Sequence, residues 1–171
     1  RRADAYWVGF TNNHHDMGIT ADEWVASGAK LQAEFDEICP AKSHVEYSWL
    51  KVYNDREDQP ISGGLVDFQR CNFREGATWD MLMAADAEMS TFMTKIGQNS
   101  RVYRWFPSNG ARSDSPDFLQ LTWNDSATDR GEDIVGFLAN GGLEIAGRLY
   151  SNVVACEDGV TMAHTPLGGS Q

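Results

Sequence analysis

The chain has 171 residues, with 14 Lys plus Arg against 25 Asp plus Glu and a formal charge of −11. Its few basic residues are scattered, so a phosphate backbone is repelled over most of the surface, which disfavours nucleic acid as a partner. No apolar run approaches the roughly 20 residues of a membrane-spanning helix, and Arg1-Arg2-Ala3-Asp4 has no apolar stretch behind it, so the sequence reads without a membrane span or a signal peptide.

In chain order, Asp4 to Phe10 is expected to be a strand, followed by an acidic loop containing His14-His15-Asp16. Thr20 with Glu23 then makes a capping box, and Trp24, Leu31, Phe35 and Ile38 form one apolar stripe at helical spacing. Pro40 ends that helix. Ser43 to Tyr53 reads as a strand, because Val45, Tyr47 and Trp49 are β-favouring. The polar run Asp55 to Gly64, with Pro60 and a Gly pair, reads as a linker.

Leu65 to Phe73 is the next strand candidate. The helix after it carries Trp79, Leu82, Ala85, Met89, Phe92 and Ile96 on one face and stops at Gly97. Arg101 to Phe106 is a further strand, Pro107 to Pro116 a Ser/Asn/Gly/Asp loop, and Asp117 to Trp123 a strand again. Ile134, Leu138, Gly141, Ile145, Leu149 and Val153 make the stripe of a last helix, before a short strand at Val160 to His164.

The order from Leu65 onward is β-α-β-β-α-β, the split βαβ or ferredoxin-like arrangement. An offset of 113 residues lays Asp4 to Phe10 over Asp117 to Trp123, and Trp24 to Gly28 over Phe137 to Gly141. A shift to 117 puts Cys39 over Cys156. The first 54 residues therefore read as the second half of such a unit. The expected architecture is α+β with tandem ferredoxin-like units: residues 1–54 as a half unit, 55–64 as linker, 65–167 as a complete unit and 168–171 as a tail. About half a unit is expected upstream of Arg1.

In such a sheet the first and last strands are antiparallel neighbours, which places Cys71, ending one, beside Cys156, preceding the other. A disulfide between them is expected, and with it an extracytoplasmic (periplasmic or secreted) compartment. The same geometry assigns Cys39 a partner in the upstream segment, which would also pair the strands at Tyr6 to Phe10 and Ser43 to Tyr53; the other outcomes are self-association through strand exchange between chains, or those strands joining the second unit's sheet. Three buried thiols acting as small hydrophobes are the alternative.

The run Cys71-Asn72-Phe73-Arg74-Glu75-Gly76, with Arg101 to Phe106, Asp117 to Trp123, Asn140-Gly141 and Cys156, resembles uncharacterised exported proteins of marine proteobacteria. Those have tandem units like those of dimeric α/β-barrel proteins. The resemblance implies fold and export rather than an activity, since that superfamily hosts cofactor-free monooxygenases, haem proteins and members with no known reaction.

Several groups are candidates for chemistry. His14-His15-Asp16 sits where a loop could hold a metal or a general base, although adjacent loop residues rarely face one ion, and a polar surface loop is the competing reading. His44 and His164 lie by late strands, where ordinary strand histidines are the simpler account. Asn124 to Asp133 is rich in oxygen ligands but lacks the spacing and glycine of an EF-hand loop. No cysteine or histidine spacing fits a structural metal, and no cofactor is read.

The aromatic residues are the strongest signal. Tyr103, Trp105 and Trp123 fall on the strands of one unit and Trp7, Tyr47 and Trp49 on those of the other. Two such sheets facing each other would enclose a cavity for a small, flat apolar ligand, if the rings do more than pack the core. The expected function is non-catalytic: an extracytoplasmic small-molecule binder or an assembly protein. The alternative is a cofactor-free monooxygenase-like or other small-molecule enzyme working in that cavity.

Overall fold

The computed structural model describes residues 6–40, 44–56, 59 and 63–166. The chain divides into two compact units, Arg1–His44 and Val45–Gln171. The expected tail and half of the expected linker, residues 57, 58 and 60–62, lie outside the described residues.

Among its described residues the first unit contains two helices, α1 (His14–Ser27) and α2 (Ala29–Ile38). Asn13 caps α1: its side chain accepts from Asp16 N at 2.9 Å, and its amide donates to the Asp16 carboxylate at 3.0 Å. The cap therefore falls seven residues before the expected Thr20. Thr20 lies within the helix and donates back to Asp16 O. Gly28 separates the helices. A Cβ there would stand 2.6 Å from Trp24 O and 2.7 Å from the Trp24 ring, so only glycine admits this approach. Tyr6 to Phe10 forms no strand, so the expected strand, helix, strand copy of the later unit is not built.

The second unit is an α+β body with one six-stranded antiparallel sheet, ordered β1-β3-β4-β2-β5, with β6 also paired to β2. Its strands are β1 (Glu46–Tyr53), β2 (Gly64–Phe73), β3 (Arg101–Asn109), β4 (Phe118–Asn124), β5 (Val154–Cys156) and β6 (Val160–His164). Its helices are α3 (Trp79–Lys95), α4 (Ala127–Ala139) and α5 (Gly142–Tyr150). The stripe starting at Ile134, expected as one helix, is divided between α4 and α5. Gly141, at φ 77°, breaks it in two, because a left-handed residue cannot continue an α-helix.

The expected half unit ending at residue 54 is corrected by strand pairing. β1 lies beside β3, with Trp49 opposite Trp105 and Lys51 opposite Tyr103. Its backbone donors and acceptors that face β3 are satisfied on the edge of the later sheet, and this draws the strand into the second unit.

The expected disulfide is present. Cys71 and Cys156 are directly opposed on β2 and β5, with Cα atoms 4.1 Å apart. Cys39 is exposed and carries no disulfide within the chain.

Cys71, Leu82, Phe118, Val153 and Val154 form one core cluster between sheet and helices, and Tyr53, Met89, Met93 and Val102 a second. Between them lies a buried polar network. Arg104 donates to Asp86 through Nε at 2.6 Å and Nη2 at 2.5 Å, and through Nη1 to Gln120 Oε1. Tyr150 donates to Asp86 at 2.8 Å. The Arg104 guanidinium lies over the Phe118 and Tyr150 rings. Burial, with the Asp86 charge next, pushes the Tyr150 phenol well above its usual range.

Candidate functional site

Alternation along the strands sends Arg104, Phe106, Gln120 and Cys71 to the helix side and Arg101, Tyr103, Trp105, Leu121, Trp123 and Val66 to the other. Because β1 joins edge to edge, Tyr47 and Trp49 share that second face. The expectation of a facing sheet is not met for them, and the cavity expected between two sheets is replaced by one aromatic sheet face.

The rings make a connected series. Trp49 meets Tyr103 at 5.6 Å, Tyr103 meets Trp123 at 5.6 Å, Trp123 meets Trp105 at 5.7 Å and Trp105 meets Tyr47 at 5.8 Å between centroids. These separations suit edge-to-face and tilted contact. Trp105, Trp123 and Leu121 are buried and form the centre of a third apolar cluster. Trp49, at the β1 edge, is 53% exposed. Trp7 belongs to the first unit, where its ring stands edge-on to Phe35 at 5.0 Å.

Trp49 also lines an open cleft of about 360 Å³, together with Ser48, Leu50, Trp79 and Phe106. Trp79 opens α3 and is 45% exposed, with its ring 4.5 Å from Phe106. Two half-exposed indoles thus frame a cleft whose floor is apolar. Its volume falls within the range of small-molecule sites, about 300–1,000 Å³.

The other end of the face is polar. Arg101 opens β3 directly opposite Trp123 on β4, and His164 closes β6 with its ring 6.4 Å from that of Trp123. Arg101 is 1% exposed and Trp123 5%. Arg101 Nη1 donates to Asp125 Oδ1 at 2.6 Å, and Arg56 Nη1 donates to Asp125 Oδ2 at 2.6 Å. Burial opposes ionisation of Asp125, but the hydrogen bonds and charges of Arg101 and Arg56 outweigh it and hold the carboxyl below its ordinary value. Among the described residues, Arg101 Nε and Nη2, Trp123 Nε1 and His164 Nδ1 are buried without a hydrogen-bond partner. Each buried donor left unmade costs about 1–3 kcal/mol, so four such atoms in one neighbourhood need an explanation. Beside them, burial raises the Tyr103 phenol, although its oxygen accepts from Asn54 at 3.1 Å.

The remaining histidines are elsewhere. His14, His15 and Asp16 lie in the first turn of α1 rather than in a loop, and Asp16 serves the Asn13 cap. His44 is exposed just before β1. Among the described residues no three His, Cys, Asp or Glu side chains gather in a metal-binding group. Three side chains of Asn124 to Asp133 turn their oxygens to protein: Ser126 caps α4, Asp133 accepts from Asn99 N and Asn124 Nδ2, and Asp125 holds the two arginines. Sequence reasoning missed Arg101. The available signal was an arginine on each face of one strand, Arg101 and Arg104, within a run otherwise fit for the interior.

No protein-family model matches the chain, and no curated protein and no solved structure shows significant similarity to it.

Proposed function

We propose that the second unit binds a flat, largely apolar small molecule in the cleft at its β1 edge, on the helix side of the sheet, without chemistry of its own, in an extracytoplasmic compartment. The carrying observation is the apolar cleft on the helix side of β1, lined by Leu50, Phe106 and the half-exposed Trp49 and Trp79. Leaving two indoles half in water is unfavourable, and a stacked ligand offsets it. The Cys71–Cys156 disulfide supports the compartment, since such bonds persist where the medium is oxidising. The sheet order from β2 to β6, with β2 between β4 and the β5/β6 edge, supports reading Gly64–His164 as a ferredoxin-like unit.

Titration with naphthalene, followed by tryptophan fluorescence, tests the binding reading. Saturable quenching is expected, weakened roughly tenfold in Trp49→Ala and in Trp79→Ala, the cost of one aromatic contact. Quenching that does not saturate, or that both variants leave unchanged, rejects it.

Self-association is a second reading, favoured by the exposed Ile134, Val135, Leu138 and Leu143 on α4 and α5. Light scattering across a concentration series tests it: a dimer that Leu138→Glu abolishes supports the reading, and a monomer throughout rejects it.

A further inference from the structure

We infer a second binding site, for the carboxylate of a small monoanion, built from Arg101, Trp123 and His164 at the β6 end of the aromatic face. It stands independently of the apolar cleft.

The argument begins with donor geometry. A guanidinium presents Nε–H and one Nη2–H in parallel, the edge that meets both oxygens of a carboxylate. In Arg101 the opposite nitrogen, Nη1, is taken by Asp125, while this edge is buried and unpartnered. Such an edge is costly to keep dry. Trp123, register-paired with Arg101 across β3 and β4, adds an indole N–H that can only donate. His164 adds Nδ1 on the same face, since Gly64 and His164 pair one step along β2 from Val66, which pairs with Trp123. The unmet groups are therefore a two-point fork, a single donor and an imidazole nitrogen.

Charge selects the occupant. Within the ion-paired set of Arg101, Arg56 and Asp125, two cations share one carboxylate, an excess of one positive charge in that set. A single negative charge completes that set. A dianion such as phosphate would exceed it, in a protein that carries −11 overall. A planar carboxylate also matches the planar fork, and the neighbouring Tyr103 and Trp123 rings suit a short apolar substituent.

Entry requires movement, because the donor atoms are out of solvent contact. The element placed to give is β6, five residues at the sheet edge whose strand pairing is with β2 alone. His164 is its last residue.

The test is side-chain NMR of the full chain, following the Arg101 Nε–H and Trp123 Nε1–H resonances during titration with acetate. Acetamide and sodium chloride of matched ionic strength serve as controls. Saturable shifts of both resonances with acetate, absent with acetamide and chloride, are expected. Arg101→Lys should weaken acetate roughly tenfold or more by losing the two-point edge. Trp123→Phe, which keeps a ring in the cluster, should weaken it several-fold, and its signal is then read at Arg101. Because Arg101→Lys risks misfolding, the Phe variant decides alone if the Lys variant does not fold. No shift with acetate, equal shifts with acetamide or chloride, or an unchanged affinity in Trp123→Phe overturns the inference. So does a crystal structure grown in acetate that shows only water against the Arg101 edge. Naphthalene binding at the cleft is scored separately, so either site can fail without the other.

Discussion

Arg104 and Asp86 meet through two hydrogen bonds, at 2.5 and 2.6 Å, on the helix side of the sheet, where they are 1% and 3% exposed. Removing one charge from such a pair strands the other, and the penalty exceeds anything the intact pair contributes. Asp86→Ala should therefore cost about 3–5 kcal/mol in urea unfolding. The double substitution Asp86→Leu with Arg104→Met should cost much less. A double variant as unstable as the single one would refute this account of the network.

The disulfide closes a loop with a sequence separation of 85 between β2 and β5. In the chain-entropy model a loop of that length stabilises by about 4.6 kcal/mol. Cys71→Ala with Cys156→Ala should lower unfolding stability by about that amount, and reductant should then have no further effect. Equal urea midpoints for parent and variant would contradict it.

Tyr53 donates its hydroxyl to Gln98 O at 2.7 Å, and burial, then the Asp55 and Asp133 charges, push its pKa up to about 12 from 10.0. The folded state thus holds the phenolic proton more tightly than the unfolded chain. The associated stability is intact below pH 10 and is lost as pH rises from about 10 to 12, a total of about 2–3 kcal/mol. Comparing thermal melts of the parent and Tyr53→Phe over that interval should show a steeper decline in the parent. Parallel profiles would exclude Tyr53 as the source.

Gly64 begins β2 at φ 134°, and a Cβ there would stand 2.1 Å from Asn124 O. Gly64→Ala should destabilise the protein by more than about 2 kcal/mol, through backbone strain and the displaced β4 end together. Circular dichroism melts measure it, and a near-neutral effect would mean that the β2–β4 register relaxes freely.

The parts of the fold legible in the sequence were those set by local pattern. Leu65 to Phe73 and Val160 to His164 alternate or carry β-favouring residues, and they appear as β2 and β6 with almost the expected bounds. The Cys71–Cys156 pairing followed from the strand order. The repeat did not hold, because matching apolar residues at an offset of 113 says nothing about which edge a strand finds. β1 found the free side of β3, and that long-range choice leaves no mark in local periodicity. Helix ends were misplaced for a related reason: Asn13 with Asp16 makes as good a cap as Thr20 with Glu23, and Gly141 reads as a face position until its φ is known. At the site, Trp49 and Tyr103 were visible as aromatic candidates. Arg101 was not, since its role depends on which of its donors the fold leaves unpaired.

The outer edge of β2 is filled by two short pieces of chain, β5 against Cys71 to Phe73 and β6 against Gly64 to Phe68. Cys156 ends the first piece and is covalently fixed to β2, while Glu157 to Gly159 leads into the second. The sulfur bridge therefore works as a stop. Fraying that starts at the C-terminal end of β6 can run back through His164, Met162 and Val160, and it meets a cross-link before reaching β5. In hydrogen–deuterium exchange this divides one strand position into two kinetic classes: β6 amides exchange by local opening, and those of β5 wait for the whole unit to unfold.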